Sequence, residues 1–257
     1  MAPAAGSADR SDILYGLHAV REALKAGARP LQRILVVRTD RQFGDLVQAA
    51  KAKGTPVHVE PPEAFDRLVP HGKHQGIIAF VAAKSYSTTE EILERARSRG
   101  EPPFVVILDG VEDPHNLGAV LRTAEAAGVH GVCIPERRAV GLTSVVAKVS
   151  AGAIDHMAVS QIGNVTQLIA ELKERGLWVY GVEPTAPQPY TTIDMTGPLA
   201  LVFGGEGKGI RPGVLKACDG LISIPMKGKV ESLNVSAAVA VVIYEGVRQR
   251  GRGKPIF

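Results

Sequence analysis

The sequence predicts an α/β protein in which a parallel-sheet domain follows a smaller α/β unit. In the second part of the chain, short apolar runs alternate with helical patterns. Runs such as residues 104–108 are apolar at every position, which is typical of strands buried on both faces of a parallel sheet. The chain has 257 residues, with 45% hydrophobic and 22% charged residues. These values leave room for one large domain or two modest ones and disfavour disorder and fibrous repeats.

The N-terminal part predicts the smaller unit. Residues 1–11 are small and polar and are expected to form a flexible tail. Residues 12–84 combine helical spacing with short apolar runs, and we assign them to one small domain. Gly27 and Gly54 follow the two helical patterns, where glycine commonly ends a helix. The predicted elements are helices at 16–24 and 43–52 and strands at 34–37, 57–59 and 77–81.

Residues 85–103 separate this unit from the main domain. They are polar and charged and end with Pro102 and Pro103, so we expect a linker that carries a short solvated helix. Residues 104–257 are assigned to the main domain. Its predicted elements are strands at 104–108, 131–134, 177–182, 199–203 and 221–224, and helices at 117–127, 165–173 and 232–248.

The last predicted helix is apolar almost all round. Between residues 235 and 243 only Ser236 is polar, and a polar side begins at Glu245 and Arg248. We therefore expect protein to cover this helix on every side, with part of the cover supplied by a second copy of the chain. No stretch reaches the roughly 18 apolar residues of a membrane span, and the N-terminus has no apolar signal segment, so we expect a cytoplasmic protein without a membrane partner.

The two cysteines, Cys133 and Cys218, lie far apart in unrelated contexts. This arrangement excludes a disulfide framework and provides no zinc-ligand spacing, so we expect two packing residues in a reducing compartment and no metal.

The positive charge is concentrated in the first third of the chain. Residues 1–84 hold 12 Lys and Arg against 8 Asp and Glu, whereas residues 85–257 hold 18 of each sign. This imbalance favours a module that docks on a polyanion such as RNA. An excess of this size also occurs on ordinary protein surfaces, so both interpretations stay open.

Three loops place polar residues after apolar strands, where α/β sheets usually bind ligands. The first loop, 109–122, carries Asn116 at a helix N-cap position and Arg122 two turns into the helix. Taken alone, this segment favours a capped helix with a solvated arginine over a site. The glycine loop, 203–212, has four glycines in six residues around Glu206, which favours a site over a mere turn. It matches neither a P-loop nor a dinucleotide motif. The third loop, 224–236, ends in a cluster that caps alone do not explain: Ser232, Asn234 and Ser236.

Together, the three loops resemble, in order, spacing and strand context, the three motifs of the SpoU (TrmH) family of RNA 2′-O-ribose methyltransferases. The resemblance extends over the chain from about residue 12, and segments 15–20 and 74–77 look like the small RNA-binding domain found in some members. It implies a C-terminal α/β-knot (SPOUT) domain with a parallel sheet and a deep trefoil knot. It also implies S-adenosylmethionine held in that knot, and a homodimer.

The resemblance also implies two groups of site residues. Those lining the cofactor pocket would be Gly204, Gly205, Ile224, Met226 and Leu233. Those facing the ribose would be Asn116, Arg122, Glu206, Ser232 and Asn234.

The implied reaction is methyl transfer from S-adenosylmethionine to an RNA ribose 2′-hydroxyl, with a guanosine of 23S rRNA, free or in a large-subunit assembly intermediate, as the expected target. The N-terminal module favours rRNA over tRNA. A tRNA enzyme and an rRNA enzyme conferring antibiotic resistance remain alternatives, as does a non-catalytic RNA-binding assembly factor. Such a factor would be expected to lack Arg122, Glu206 or Asn234, and all three are present.

The family account makes Arg122 the general base, but a guanidinium with a pKa above about 12 is a poor base. Two roles stay open: an unusual contact deprotonates Arg122, or Arg122 stays cationic and stabilises a developing alkoxide. Neither role requires a metal.

Overall fold

The chain divides into two compact units, residues 1–85 and 86–257. The computed structural model describes residues 11–27, 29–40, 43–70, 73–82 and 84–251. Residues 1–10 of the expected tail lie outside this range. Residue 11, also assigned to the tail, begins a strand.

The first unit is a four-stranded sheet with three helices. The strand order is β1-β4-β2-β3, with β4 antiparallel to both β1 and β2 and with β3 parallel to β2. The two predicted helices and three predicted strands are all present, whereas β1 and α3 were not predicted. The elements are β1 (Ser11–Tyr15), α1 (Leu17–Ala26), β2 (Leu31–Val36), α2 (Gly44–Ala52), β3 (Val57–Val59), α3 (Pro62–Leu68) and β4 (Ile77–Ala82).

The second unit is built on a seven-stranded sheet, in which every pair of neighbouring strands is parallel, as predicted. The strand order is β7-β6-β5-β10-β8-β11-β9. The elements are α4 (Thr89–Ser98), β5 (Phe104–Asp109), α5 (Pro114–Ala126), β6 (Gly131–Pro135), α6 (Ser144–Val149), α7 (Ala153–His156), β7 (Val159–Ile162), α8 (Val165–Glu174), β8 (Trp178–Val182), β9 (Gln188–Pro189), β10 (Leu199–Gly204), α9 (Pro212–Ala217), β11 (Gly220–Ser223) and α10 (Val235–Arg250).

Helices cover both faces of this sheet. On one face, side chains of α4, α8 and α9 share a core with Val105 and Ile107 of β5. On the other face, α5 packs against α6, α7 and α10, and α10 approaches the sheet so closely that a Cβ at Gly246 would lie 2.8 Å from the ring of Phe104. This burial on both sides explains why the strands are apolar at every position.

The prediction that residues 85–103 form a linker is wrong for most of this segment. Most of it belongs to the second unit, because α4 buries Ile92, Leu93 and Ala96 in the core under the sheet. Thr88 and Glu91 form a capping box that fixes the start of the helix. The charged residues that suggested a solvated helix occupy only its outer face.

A single chain leaves part of the last helix, α10, open. In this chain it is not covered on every side, since Val241 is 37% and Tyr244 is 48% exposed. Glu245, expected on a polar side, is buried and holds the Arg248 guanidinium through hydrogen bonds of 2.6 and 2.7 Å. Over the described residues, no helix has the length and apolar character that a bilayer crossing requires.

Candidate active site

The three polar loops meet at the carboxyl-end edge of the large sheet. Strands β5 and β10 are parallel neighbours, and Asp109 at the end of β5 pairs in register with Gly204 at the end of β10. The first loop and the glycine loop therefore leave the sheet side by side. The third loop follows β11 and leads into α10, which packs against α5.

A chain of hydrogen bonds joins one residue from each loop. The Asn234 Nδ2 donates to Asn116 Oδ1 at 2.9 Å, and the Asn116 Nδ2 donates to the Glu206 carboxylate. The Asn234 Oδ1 accepts from the backbone N–H and the hydroxyl of Ser236, at 2.9 and 2.6 Å. Because each amide both donates and accepts, the orientation of both amides is determined. The hydrogen bonds between side chains all run in one direction, from Ser236 through Asn234 and Asn116 to Glu206.

Asn116 is not the N-cap that the sequence suggested. Asp113 caps α5 by accepting from the backbone N–H of His115 at 2.8 Å. Asn116 lies inside the first turn of the helix and is 8% exposed, so its amide is free of capping and available to the cluster. Pro114, with its fixed φ, begins the helix and explains why it starts earlier than predicted.

Close packing requires two glycines of the second loop, Gly204 and Gly205. A Cβ at Gly204 would overlap the backbone of Gly209, and a Cβ at Gly205 would overlap the carbonyl of Gly110. The loop closes through a hydrogen bond from Gly209 N to Gly205 O of 3.2 Å. This tight turn holds Glu206 beside Asn116.

An ion pair between the buried Asp109 and the exposed Arg211 braces the edge of the sheet beside the turn. The Asp109 carboxylate accepts from Arg211 Nε at 2.8 Å, from Arg211 Nη2 at 2.6 Å and from the Arg211 backbone N–H at 2.9 Å. It therefore ties the end of β5 to the start of α9, on the far side of the glycine loop.

A cavity of about 540 Å³ opens beside the cluster. All five residues expected to line a cofactor pocket line it: Gly204, Gly205, Ile224, Met226 and Leu233. Three of the five expected ribose-facing residues line it too: Glu206, Ser232 and Asn234. Asn116 lies behind them, in contact with Glu206 and Asn234.

Glu183 also lines this cavity and was not among the predicted site residues. It follows directly after β8, at the same edge of the sheet as the three loops. Because it is the first charged residue after an apolar strand, the sequence alone could have identified it as a candidate site residue. Among the described residues, no group of three or more His, Cys, Asp or Glu is arranged to hold a metal ion.

Arg122 is not brought into the cluster. It lies exposed on α5 and does not line the cavity. It follows Asn116 by six residues, so at 3.6 residues per turn it points to a different side of the helix. Glu206, grouped with Arg122 among the residues expected to face the ribose, is hydrogen-bonded to Asn116.

Family models match both units of the chain. Residues 13–87 match the model described as RNA 2′-O ribose methyltransferase substrate binding, and residues 103–244 match the SpoU rRNA Methylase family. The chain belongs to the SpoU rRNA methylase family. The family resemblance carried by the three loops is confirmed, and this SpoU protein is an RNA 2′-O-ribose methyltransferase.

Relatives of the SpoU protein match almost from end to end. The chain is 43% identical, over 93% of its length and 96% of the relative, to a putative TrmH family tRNA/rRNA methyltransferase, YacO, of Bacillus subtilis. It is 41% identical, over 94% of its length and 98% of the relative, to the 23S rRNA (guanosine-2′-O-)-methyltransferase RlmB of Shewanella oneidensis.

Solved structures agree on the fold. The SpoU methyltransferase AviRb from Streptomyces viridochromogenes, in complex with AdoMet, matches with a TM-score of 0.82 at 22% identity, over 95% of this chain and 92% of AviRb. A crystal structure of an RNA 2′-O ribose methyltransferase matches with a TM-score of 0.75 at 26% identity, over 94% of this chain and 90% of that one.

Proposed function

We propose that this SpoU family member transfers the methyl group of S-adenosylmethionine to the 2′-hydroxyl of a guanosine in 23S rRNA. The observation that carries the proposal is the position of the Asn234–Asn116–Glu206 cluster at the edge of a cavity lined by Gly204 and Leu233. The choice of rRNA guanosine is supported by the relatives named RlmB, which match over both units at 41% identity.

The cavity fits S-adenosylmethionine in size and chemistry. Its volume of about 540 Å³ lies within the range of about 300–1,000 Å³ that is usual for cofactor sites. Gly204 and Gly205 line it without side chains, and Ile224 and Met226 provide apolar walls. Glu183 places a carboxylate where a ligand with sulfonium and ammonium charges would be favoured. When bound, the cofactor supplies a methyl group activated by the positive sulfur.

The residues of the cluster would position the ribose. The Glu206 carboxylate, oriented by Asn116, is the acceptor at the end of the hydrogen-bond chain and is free to accept from a ribose hydroxyl. Ser232 lines the same cavity and can donate or accept. Holding the hydroxyl in line with the methyl group replaces a costly bimolecular encounter by a preorganised one.

We assign Arg122 the electrostatic role. A guanidinium keeps its proton at neutral pH, so it is suited to stabilise the alkoxide that develops as the hydroxyl loses its proton. The proton would pass to the Glu206 carboxylate, which is free to accept from that hydroxyl. Arg122 lies outside the cavity of its own subunit and is exposed on α5, so it would act on a ribose bound by a second subunit that packs against this helix.

We further propose that the protein is a homodimer. Val241 and Tyr244 expose apolar surface on α10, and α10 packs against α5, which carries Arg122. A second copy on this face would complete the cover that the apolar helix lacks. Within each subunit, the segment from β10 to α10 would form the trefoil knot of the family.

The first unit would dock the RNA, and the protein would act in the cytoplasm. The support for docking is the excess of basic residues before residue 85 and the match of residues 13–87 to a substrate-binding model.

The test is incubation with methyl-labelled S-adenosylmethionine and total RNA, followed by mapping of the label. We expect label on a ribose of one guanosine in 23S rRNA. Glu206→Gln provides the inactive comparison, since it keeps the shape of the side chain and removes its charge. Label confined to tRNA, or to another rRNA nucleotide, would show that the proposed substrate is wrong and would identify the true one. Absence of label on free rRNA and on assembly intermediates would favour a non-catalytic RNA-binding protein.

A further inference from the structure

A second cavity, of about 610 Å³, adjoins the first within the same unit. We call it the arginine cavity. It lies at the carboxyl ends of β5, β6 and β10, and the wall it shares with the first cavity includes Gly205, Glu206 and Lys208. The arginine cavity and the proposed cofactor cavity are therefore adjacent at Glu206.

Two consecutive arginines, Arg137 and Arg138, line this cavity. Both are exposed, and within the described ranges neither side chain has a hydrogen bond or ion pair. Consecutive side chains of an extended strand point to opposite sides. Arg138 instead has a φ of 59°, in the left-handed region that L-residues rarely adopt, and this turn lets both arginines line one cavity. A strained non-glycine residue of this kind often marks a functional position.

The loop that carries the two arginines is fastened to its surroundings. The Val140 N–H donates to the Val111 carbonyl at 3.0 Å, and the Leu142 N–H donates to the Tyr86 hydroxyl at 3.1 Å. The arginines are thus held beside the first loop before any ligand arrives.

The carboxylates of this cavity are largely engaged by the protein. Asp109 is paired with Arg211, Asp113 caps α5, and Glu206 accepts from Asn116. Glu112 is exposed. The formal charges of the lining residues balance, so the cavity is a mixed site rather than a basic patch. Its free donors, however, are guanidinium and ammonium groups.

We propose that the arginine cavity binds the RNA nucleotide adjoining the methylated ribose, with the guanidinium groups of Arg137 and Arg138 on its phosphate. This inference rests on the proposed function, because it assumes that the reactive ribose lies at Glu206. One nucleotide suits a cavity of this size, and arginine forks match phosphate oxygens in pairs. The nearby Glu112 and Glu206 would repel a phosphate, so two cations are needed to hold it there.

The test compares two double variants that each remove two positive charges. Arg137→Gln/Arg138→Gln changes the cavity, whereas Arg99→Gln/Lys216→Gln changes exposed residues of the same unit outside it. The dissociation constant for a labelled fragment of 23S rRNA is measured across a salt series, and S-adenosylmethionine binding is measured by calorimetry. We expect the cavity variant to bind RNA about tenfold more weakly at moderate salt, with a salt slope lower by about two. Its cofactor affinity stays within about twofold. Equal losses in both double variants would overturn the proposal.

The single variant Arg138→Gly tests the same proposal if the double variant folds poorly. Glycine adopts positive φ without strain, so this variant keeps or gains thermal stability. We expect its RNA affinity to fall about threefold or more, whereas unchanged RNA affinity would overturn the proposal. If the wild-type protein methylates no RNA, the proposed function itself fails, and that result is separate from the comparison of the variants.

Discussion

Asn116 and Asn234 are 118 positions apart in the sequence, and their side-chain amides are joined by a hydrogen bond of 2.9 Å. Asn116 in turn donates to Glu206, so hydrogen bonds connect residues of the first, second and third loops in one cluster. The packing of α10 against α5 brings the two amides together. The consequence is that a change at one amide disturbs the carboxylate at the far end.

We predict that Asn116→Asp disables this cluster. A carboxylate cannot donate to Glu206 and adds a like charge beside it, in a buried position. We expect methyl transfer to fall by about 100-fold or more, because the hydroxyl loses its oriented acceptor, and unfolding free energy to fall by about 1–3 kcal/mol.

Asn164→Asp is the matched control for this change. Asn164 caps α8 and its side-chain oxygen only accepts, from the Thr166 hydroxyl and from the backbone N–H groups of Thr166 and Gln167. A carboxylate serves equally well there. Single-turnover kinetics and thermal unfolding should leave this control at wild-type values. An Asn116→Asp enzyme with full activity would refute the role of the cluster.

Arg122→Lys separates the two roles of Arg122. A cationic arginine acts through its forked geometry, which lysine lacks, so we expect the rate to fall by an amount nearly independent of pH. A general base would give the opposite profile, because lysine, with a pKa of about 10.4, is easier to deprotonate. Single-turnover rates are measured against pH. A tenfold rise per pH unit up to about pH 10, with a flat wild-type profile, would establish the base role instead.

Gly205→Ala is expected to abolish cofactor binding. The new methyl group would overlap the Gly110 carbonyl, so the glycine loop must move away from the first loop. Gly213→Ala is the control, since nothing lies within 4 Å of a Cβ at that position in α9. It should bind cofactor normally and be slightly more stable, by about 0.5–1 kcal/mol. Calorimetric titration with S-adenosylmethionine tests both, and normal binding by Gly205→Ala would contradict the prediction.

His130 should make folding stability depend on pH. Its Nδ1 accepts from the Phe104 N–H at 3.0 Å. Burial lowers the pKa of His130, and the hydrogen bond to Glu101 offsets only part of this effect. The unfolded chain therefore binds a proton more readily than the folded chain. The stability that neutral His130 contributes is present above the unfolded pKa of about 6.5 and is lost as pH falls below it.

The variant His130→Asn tests the predicted loss of folding stability at low pH. It retains an acceptor for Phe104 but cannot titrate. We expect the excess unfolding free energy of the wild type over this variant to shrink between about pH 8 and pH 5. Denaturant unfolding of both proteins at each pH measures this difference in unfolding free energy, and a constant difference would show that titration of His130 does not affect folding.

The homodimer proposal predicts a sedimenting species of twice 27.2 kDa. Val241→Asp/Tyr244→Glu places two charges on the exposed side of α10 and should shift the protein to monomer at micromolar concentration. Val59→Glu changes a more exposed apolar residue, which lies in the first unit, and should leave the dimer intact. A wild-type monomer would mean that another partner, or solvent alone, covers α10.

Much of the fold could be predicted from local patterns. Runs apolar at every position identified β5 and β10, because strands of a doubly covered parallel sheet have no polar face. The three loops stood out because glycines and polar residues follow directly after such strands. Short elements such as α7 and β9 escaped notice, since a few residues carry too little periodicity.

The arrangement of the site was decided by the tertiary structure. The order of the strands places β10 between β5 and β8, and this makes neighbours of Asp109 and Gly204. The role of Asn116 depended on the true start of α5, and the burial of α4 depended on the sheet beneath it. The separation of Arg122 from Glu206 also depended on where α5 packs. Propensities and periodicity act over a few residues, whereas strand order and helix packing are set by contacts between distant segments, so only the folded chain determines which polar groups meet.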